Sequence, residues 1–336
     1  MKITAVTCVK NEGPFLLEWI AYNRVIGVTD FLFYSNDCTD GTTRMLERLE
    51  ELGIVRHLPN PAEGRNYQME ALKDAKDQPI VQEADWVWIA DVDEFLNIHV
   101  GNGTIPELIE ACDDPQAISV NFQFFANAGV ERFEDRPVIE QFTRTHNPDI
   151  WCDETAQEVK TLIRKDFPLR YYGAHRPFAK KGAEPVWTDG SGRQVPWRFR
   201  DAAIKRRIRK FPAQDARDFA TLNHYALRSL DSYLVKIDRG DVNRENRAFD
   251  DSYWRERNDI GWEENSILRY LPRLTAEIAR LKKDLHVAAM HEEAVWKHRE
   301  TRDRMMEDPE TAAFAARLMA LPHESPAELA LLELIA

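Results

Sequence analysis

Over residues 3–90, four short apolar runs alternate with three stretches of helical period, and this alternation constrains the fold more than any other feature. Residues 3–9, 31–34, 54–58 and 86–90 read as buried strands, rich in Val, Ile, Phe and Trp. Residues 15–26, 43–52 and 67–76 read as the helices between them, with Gly27 and Gly53 as stops for the first two. The order predicts an α/β fold with a mostly parallel sheet flanked by helices. Residues 118–125 and 160–164 read as further strands. From Leu227 onward the pattern is helical, and we divide the chain into a sheet domain over 1–240 and a helical region over 241–336. In that region Ile267, Leu271, Leu274, Ile278, Leu281 and Leu285 form one apolar stripe. It predicts a helix packed on its own domain, started or kinked by Pro272, or the seam of a homodimer through the C-terminal helices.

The fourth apolar run drives straight into Asp91-Val92-Asp93-Glu94. Unpaired charges are costly to bury, so carboxylates at a strand's end face solvent, a cation or a ligand. In open α/β sheets ligands bind just outside the carboxyl ends of the strands. Two carboxylates there suit Mg²⁺ or Mn²⁺ shared with phosphate oxygens, although a pair of solvated loop acids fits the same spacing.

With a formal net charge of -12 the chain lacks the basic surface of a nucleic-acid binder, the local cluster at residues 205–210 aside. That cluster reads as a solvated helix face, or as a patch for diphosphate or an anionic membrane. Cys8, Cys38, Cys112 and Cys152 are scattered and form no Cys-x-x-Cys pair, which fits reduced thiols and a cytoplasmic setting. Lys10, Asn11 and Glu12 interrupt the N-terminal apolar run too early for a signal-peptide core, and no run approaches a membrane span.

Three predicted strand ends thus carry Lys10-Asn11-Glu12, Asn36-Asp37 and Asp91-Val92-Asp93, followed by His175-Arg176-Pro177 and Asn223-His224-Tyr225. This ordered set resembles bacterial GT-A fold glycosyltransferases of the family 2 type. The resemblance implies a GT-A, Rossmann-like sheet over 1–240 and inverting transfer of a sugar from a nucleoside diphosphate donor, a UDP-sugar, to an acceptor hydroxyl. It implies Mn²⁺ or Mg²⁺ held by Asp91, Asp93 and His224, and donor contacts from Lys10, Glu12, Asp37, Arg65, Asp91, His175, Arg176, Lys236 and Arg239. Asp37 would take the base while Asp40 caps a turn, and Asp91 would take the ribose. Glu94 reads as half of an ion pair. Lys236 and Arg239 would neutralise the diphosphate or face solvent. The acceptor would be a glycan or a lipid-linked sugar in surface polysaccharide or glycolipid assembly.

Inverting transfer needs a carboxylate to take the acceptor's proton. The candidates are Asp153, Glu154 and Glu158, with Asp153 first. Trp151, Trp187 and Trp197 either stack on a sugar or pin their loops. Residues 182–196, with three glycines and Trp187, read as a mobile lid or as a static loop held by its tryptophan. A dehalogenase-type phosphatase is disfavoured by Phe95 two residues after Asp93, and a nucleotidyltransferase by Lys10-Asn11-Glu12-Gly13-Pro14 after the first strand. A non-catalytic nucleotide-sugar-binding or scaffolding protein of the same fold is the alternative from another class.

Overall fold

The computed structural model describes residues 1–64, 66–147, 157–200, 209–240, 250–324 and 326–335. The first part alternates as the sequence predicts: β1 (Ile3–Val9), α1 (Gly13–Val25), β2 (Asp30–Ser35), α2 (Thr42–Glu51), β3 (Arg56–Pro59), α3 (Tyr67–Ala75), the single turn α4 (Pro79–Gln82), then β4 (Trp86–Ile89). β1 pairs in parallel with β2 and β4, and β2 with β3, so their carboxyl ends share one edge of the sheet. Both faces of these strands are covered. Phe31, Phe33, Trp86 and Trp88 belong to the cluster under α1, and Leu32, Tyr34, Val87 and Ile89 to the cluster on the opposite face. That is the period-two division expected of strands buried on both sides.

β5 (Glu94–Ile98), α5 (Ile105–Ala111), β6 (Ala117–Phe124), the short α6 (Val138–Gln141), β7 (Arg144–Thr145) and β8 (Val159–Arg164) follow. The small hairpin of β9 (Leu169–Tyr171) and β10 (Phe178–Ala179) precedes β11 (Trp187–Asp189) and β12 (Ala220–His224). The nine-stranded sheet runs β3-β2-β1-β4-β8-β6-β12-β5, with β11 also on β6. β8 is antiparallel to β4 and β6, and β5 is antiparallel to β12. β4 and β5 stand four places apart in this order, roughly 19 Å in a flat sheet at about 4.8 Å per strand. Yet the connection from Ile89 to Glu94 includes a turn in which Glu94 N–H donates to the Asp91 carbonyl at 3.0 Å. A chain of this length reaches ~18 Å only when fully extended. The sheet therefore curls, bringing its far edge back to the end of β4.

The remaining elements are α7 (Leu230–Arg239), α8 (Asp251–Arg255), β13 (Trp262–Glu263), α9 (Leu271–Leu281), α10 (Leu285–Met306), α11 (Pro309–Met319) and α12 (Pro326–Ile335). The apolar stripe spans two of these helices. Pro272 lies in the first turn of α9, which stops at Leu281, and Asp284 then caps α10 by accepting from His286 N and Val287 N. Ile267, Leu274 and Leu281 are buried in the cluster under α1, whereas Leu285 is 81% exposed. The first part of the stripe thus packs on its own domain, as the first of the two readings expected. Contact between α1 and α10 is close: a Cβ on Gly13 would stand 2.6 Å from the Ala294 Cβ.

The segment over 182–196 is not a lid. Trp187 is buried, its indole N–H donates to Ser119 Oγ at 2.9 Å, and β11 pairs in parallel with the first half of β6. Gly190 carries the chain past β12, where a Cβ would stand 2.7 Å from the Ala220 carbonyl oxygen. The static alternative holds, and Trp187 is core rather than a sugar platform. Trp197 is 66% exposed, and Trp151 lies outside the described residues. Among the described residues no helix is long and apolar enough to cross a membrane.

Candidate active site

A cleft of about 1010 Å³ opens where the sheet curls, lined by Asp91, Asp93, Glu94, His224, Lys236 and Arg239 and also by Glu158, His175, Arg176 and Arg209. The ladder explains how distant residues meet here. β12 places His224 opposite Glu94 on β5 and beside Phe124 on β6. Ligand atoms of Asp93, Glu94 and His224 all lie within 4.8 Å of one another.

Asp93 is buried, with Lys236 Nζ 3.0 Å from Oδ2 and His224 Nε2 3.5 Å from Oδ1. Burial alone would raise its pKa, but Lys236 and His224 outweigh that and hold the carboxyl well below its ordinary range. The His224 ring sits among Phe122 and Phe124, with centroids at 4.9 and 5.2 Å. Burial lowers its pKa against the pull of Asp93, favouring the neutral imidazole that binds metals. Its Nδ1 is buried with no hydrogen-bond partner among the described residues. Two carboxylates and a neutral imidazole are a donor set that fits Mn²⁺ or Mg²⁺.

Asp91 stands apart from that set. Gln68 Nε2 donates to its Oδ1 and Lys160 Nζ to its Oδ2, both at 3.0 Å, and its remaining surface faces the cleft. Glu94 takes its place beside Asp93. The Glu94 carboxylate accepts from Asp91 N at 2.9 Å and pairs with Lys160 at 3.1 Å, the ion pair the sequence reading expected. Burial, then the neighbouring Asp91 and Asp93, push Glu94 upward, while Asp91 and Glu94 keep the buried Lys160 charged. Lys160 was missed in the sequence, although a lone lysine in the apolar run Val159-Lys160-Thr161-Leu162-Ile163 is itself a signal, because a buried ammonium needs partners.

The sequence model of glycosyltransferase family 92 matches residues 4–179. The chain belongs to glycosyltransferase family 92. Family 92 proteins of Arabidopsis thaliana and Ricinus communis are 30% and 31% identical to it over 100 and 99 residues, 28% of this chain in each case. The aligned stretch is 16% and 17% of those proteins' own lengths, so the chain spans about a sixth of the curated relatives it matches. Among solved structures, Staphylococcus aureus TarS 1-349 is 11% identical with a TM-score of 0.36, covering 91% of this chain and 92% of that one. The Saccharomyces cerevisiae mannosyltransferase Ktr4p is 14% identical with a TM-score of 0.23, covering 39% of this chain and 41% of that one. The motif reading therefore reached glycosyltransferases, and the family itself is 92 rather than the family 2 type.

In this family 92 chain the other expected residues divide by what holds them. Glu12 does not face a donor as a free carboxylate: Arg228 pairs with it at 3.1 Å, and Arg239 donates to it and, at 2.6 Å, to the Lys10 carbonyl. Lys236 and Arg239 are half-buried at the cleft wall and paired with carboxylates rather than standing free in solvent. Asp40 accepts from Gly13 N and Thr42 N, a capping role, while Asp37 is exposed, with the Tyr67 hydroxyl 3.5 Å away. Lys10 and Asp37 lie beyond the residues that line the cleft. Also in the cleft lining, Glu158 pairs with Arg209 at 2.7 Å, and His175 Nδ1 lies 3.6 Å from Glu158 and 3.2 Å from the Val159 carbonyl. Burial, then Lys160 and Arg209, hold His175 well below its usual pKa, so it is neutral. Arg176 packs over the Phe178 and Phe199 rings at 4.8 and 5.2 Å, and burial lowers its pKa to about 10. Arg65, Asp153 and Glu154 lie outside the described residues.

Proposed function

We propose that this chain transfers a sugar from a nucleoside diphosphate donor, a UDP-sugar, to an acceptor hydroxyl with inversion. The supporting observation is the juxtaposition of Asp93, Glu94 and His224 with the Lys236 ammonium in one cleft at the strand ends of a family 92 chain. Asp91 points its free surface at the cleft to accept from the ribose, and Asp37 accepts from the base. Lys236 and Arg239 bring positive charge to the diphosphate side. A divalent ion bound at Asp93, Glu94 and His224, Mn²⁺ or Mg²⁺, supplies charge stabilisation for the departing nucleoside diphosphate. The general base is a carboxylate of the 153–158 stretch, and Glu158 is the one among the described residues, oriented by Arg209. The acceptor is a glycan or lipid-linked hydroxyl, in a cytoplasmic setting.

The test is a calorimetric titration of UDP with and without Mn²⁺, followed by UDP release from UDP-sugars. Binding that strengthens with Mn²⁺, is lost in Asp93→Ala and is accompanied by slow donor hydrolysis supports the reading. Equal UDP affinity with and without Mn²⁺ counts against the metal. UDP-sugar binding without any turnover favours a binding protein.

A further inference from the structure

Lys236 donates from Nζ to Asp93 Oδ2 at 3.0 Å and to the Ala226 carbonyl at 2.9 Å. Asp93 is the member of the Asp93, Glu94 and His224 set that this ammonium neutralises. Oδ2, engaged by an ammonium at that distance, cannot also hold a divalent ion at about 2.1 Å, and an ion held instead on Oδ1, the oxygen 3.5 Å from His224 Nε2, would still crowd a second cation onto the same buried carboxylate. Lys236 is also the cation with room to move, because its side chain lines the open cleft on a flexible four-carbon stem. Arg239, one turn on, lacks that freedom, being fixed by Glu12 and the Lys10 carbonyl, with Glu12 shared in turn with Arg228.

We propose that Lys236 is a stand-in cation. It neutralises Asp93 while the donor is absent, leaves that carboxylate when a divalent ion enters with the nucleotide, and then bonds the diphosphate oxygens. Lys236 thus carries its positive charge from one anion to another, and Asp93 is neutralised before and after. This rests on the donor-and-metal reading above. It adds that Lys236 opposes metal binding in the free protein and supports diphosphate binding only in the metal-loaded one.

The experiment uses the full chain and three titrations: Mn²⁺ alone, read by the paramagnetic resonance signal of the free ion; UDP alone; and UDP at saturating Mn²⁺, the last two by calorimetry. In Lys236→Met, Mn²⁺ alone binds at least tenfold tighter than in wild type. UDP alone binds within about twofold of wild type, and UDP with Mn²⁺ binds at least tenfold weaker. Lys236→Arg keeps the weak affinity for Mn²⁺ alone. If Lys236→Met does not fold, Lys236→Gln carries the same expectations. Unchanged or weaker binding of Mn²⁺ alone in the neutral variant overturns the proposal, as does an equal loss of UDP affinity with and without Mn²⁺. Asp93→Asn separates the two layers. If it binds Mn²⁺ with UDP as wild type does, the metal reading falls and the stand-in with it. If it loses Mn²⁺ while the neutral variant of Lys236 leaves binding of Mn²⁺ alone unchanged, only the stand-in is overturned.

Discussion

The Arg228 guanidinium carbon lies 3.5 Å from the centre of the Phe15 ring. In that position Nη1 donates to Glu12 and Nη2 to the Val92 carbonyl, each at 3.1 Å, so one side chain ties the end of β1 to the Asp91–Asp93 turn. Its backbone is left-handed, at φ 57, a conformation unusual for a side chain of this size. Arg228→Leu leaves the Val92 carbonyl unpaired and Glu12 with Arg239 alone, and we expect a loss of about 3–5 kcal/mol in urea unfolding. Arg228→Lys keeps the charge but not the fork, and should fall between.

Lys160 and its two carboxylates predict a non-additive pair. Lys160→Met leaves Glu94 buried without a counter-charge and should cost about 3–5 kcal/mol, while Glu94→Gln alone leaves Lys160 with Asp91 and should cost less. The double variant should be more stable than the sum of the two losses predicts, as measured by a double-mutant cycle in denaturant.

Glu18 sets one pH dependence. It is buried in α1 and accepts from Val138 N and Ile139 N at the start of α6, and burial raises its pKa to about 7 despite those bonds. The folded chain therefore holds a proton that the unfolded chain releases above about pH 4.5. This contribution is full below that pH, declines as pH rises toward 7, and totals on the order of 3 kcal/mol. Glu18→Gln should abolish the decline in chemical denaturation run at several pH values.

His146 and His298 act in the opposite direction. Burial, then Arg217, lowers His146 to about 3; burial, then Arg228, Arg239 and Arg299, lowers His298 to about 3. Unfolding takes up their protons between about pH 6.5 and 3, so stability is present above 6.5 and is lost as pH falls. Each contributes a slope of roughly 1.4 kcal/mol per pH unit in that window. His298→Gln, which can still pair with Ser232, should remove one proton from the acid-unfolding dependence and move the acid midpoint to lower pH.

The alternation of β1, α1, β2, α2 and β4 was legible because each strand is buried on both faces and so reads as an unbroken apolar run. The helical stripe misled because its spacing continues through Leu285, while the break comes from Asp284, a polar cap that periodicity does not register. Residues 182–196 left lid and static loop both open for the opposite reason, since a three-residue strand carries too little pattern to show between glycines. At the site, Asp93 stood out from strand-end chemistry and His224 from the family resemblance, and the structure brings the two together. The nearness of Glu94 to both, and the contacts of Lys160 and Arg228, depend on a curled sheet and on strand register, which one sequence does not display.

The edge of β6 supports two strands at once, β11 on its first half and β12 on its second. Main-chain bonds along β6 and β5 hold His224 in place, and such bonds are indifferent to side-chain identity. The imidazole thus keeps its address opposite Glu94 whatever side chains the two strands carry, so long as Gly190 clears β12. The ladder, not the side chains of β12, fixes where the centre stands.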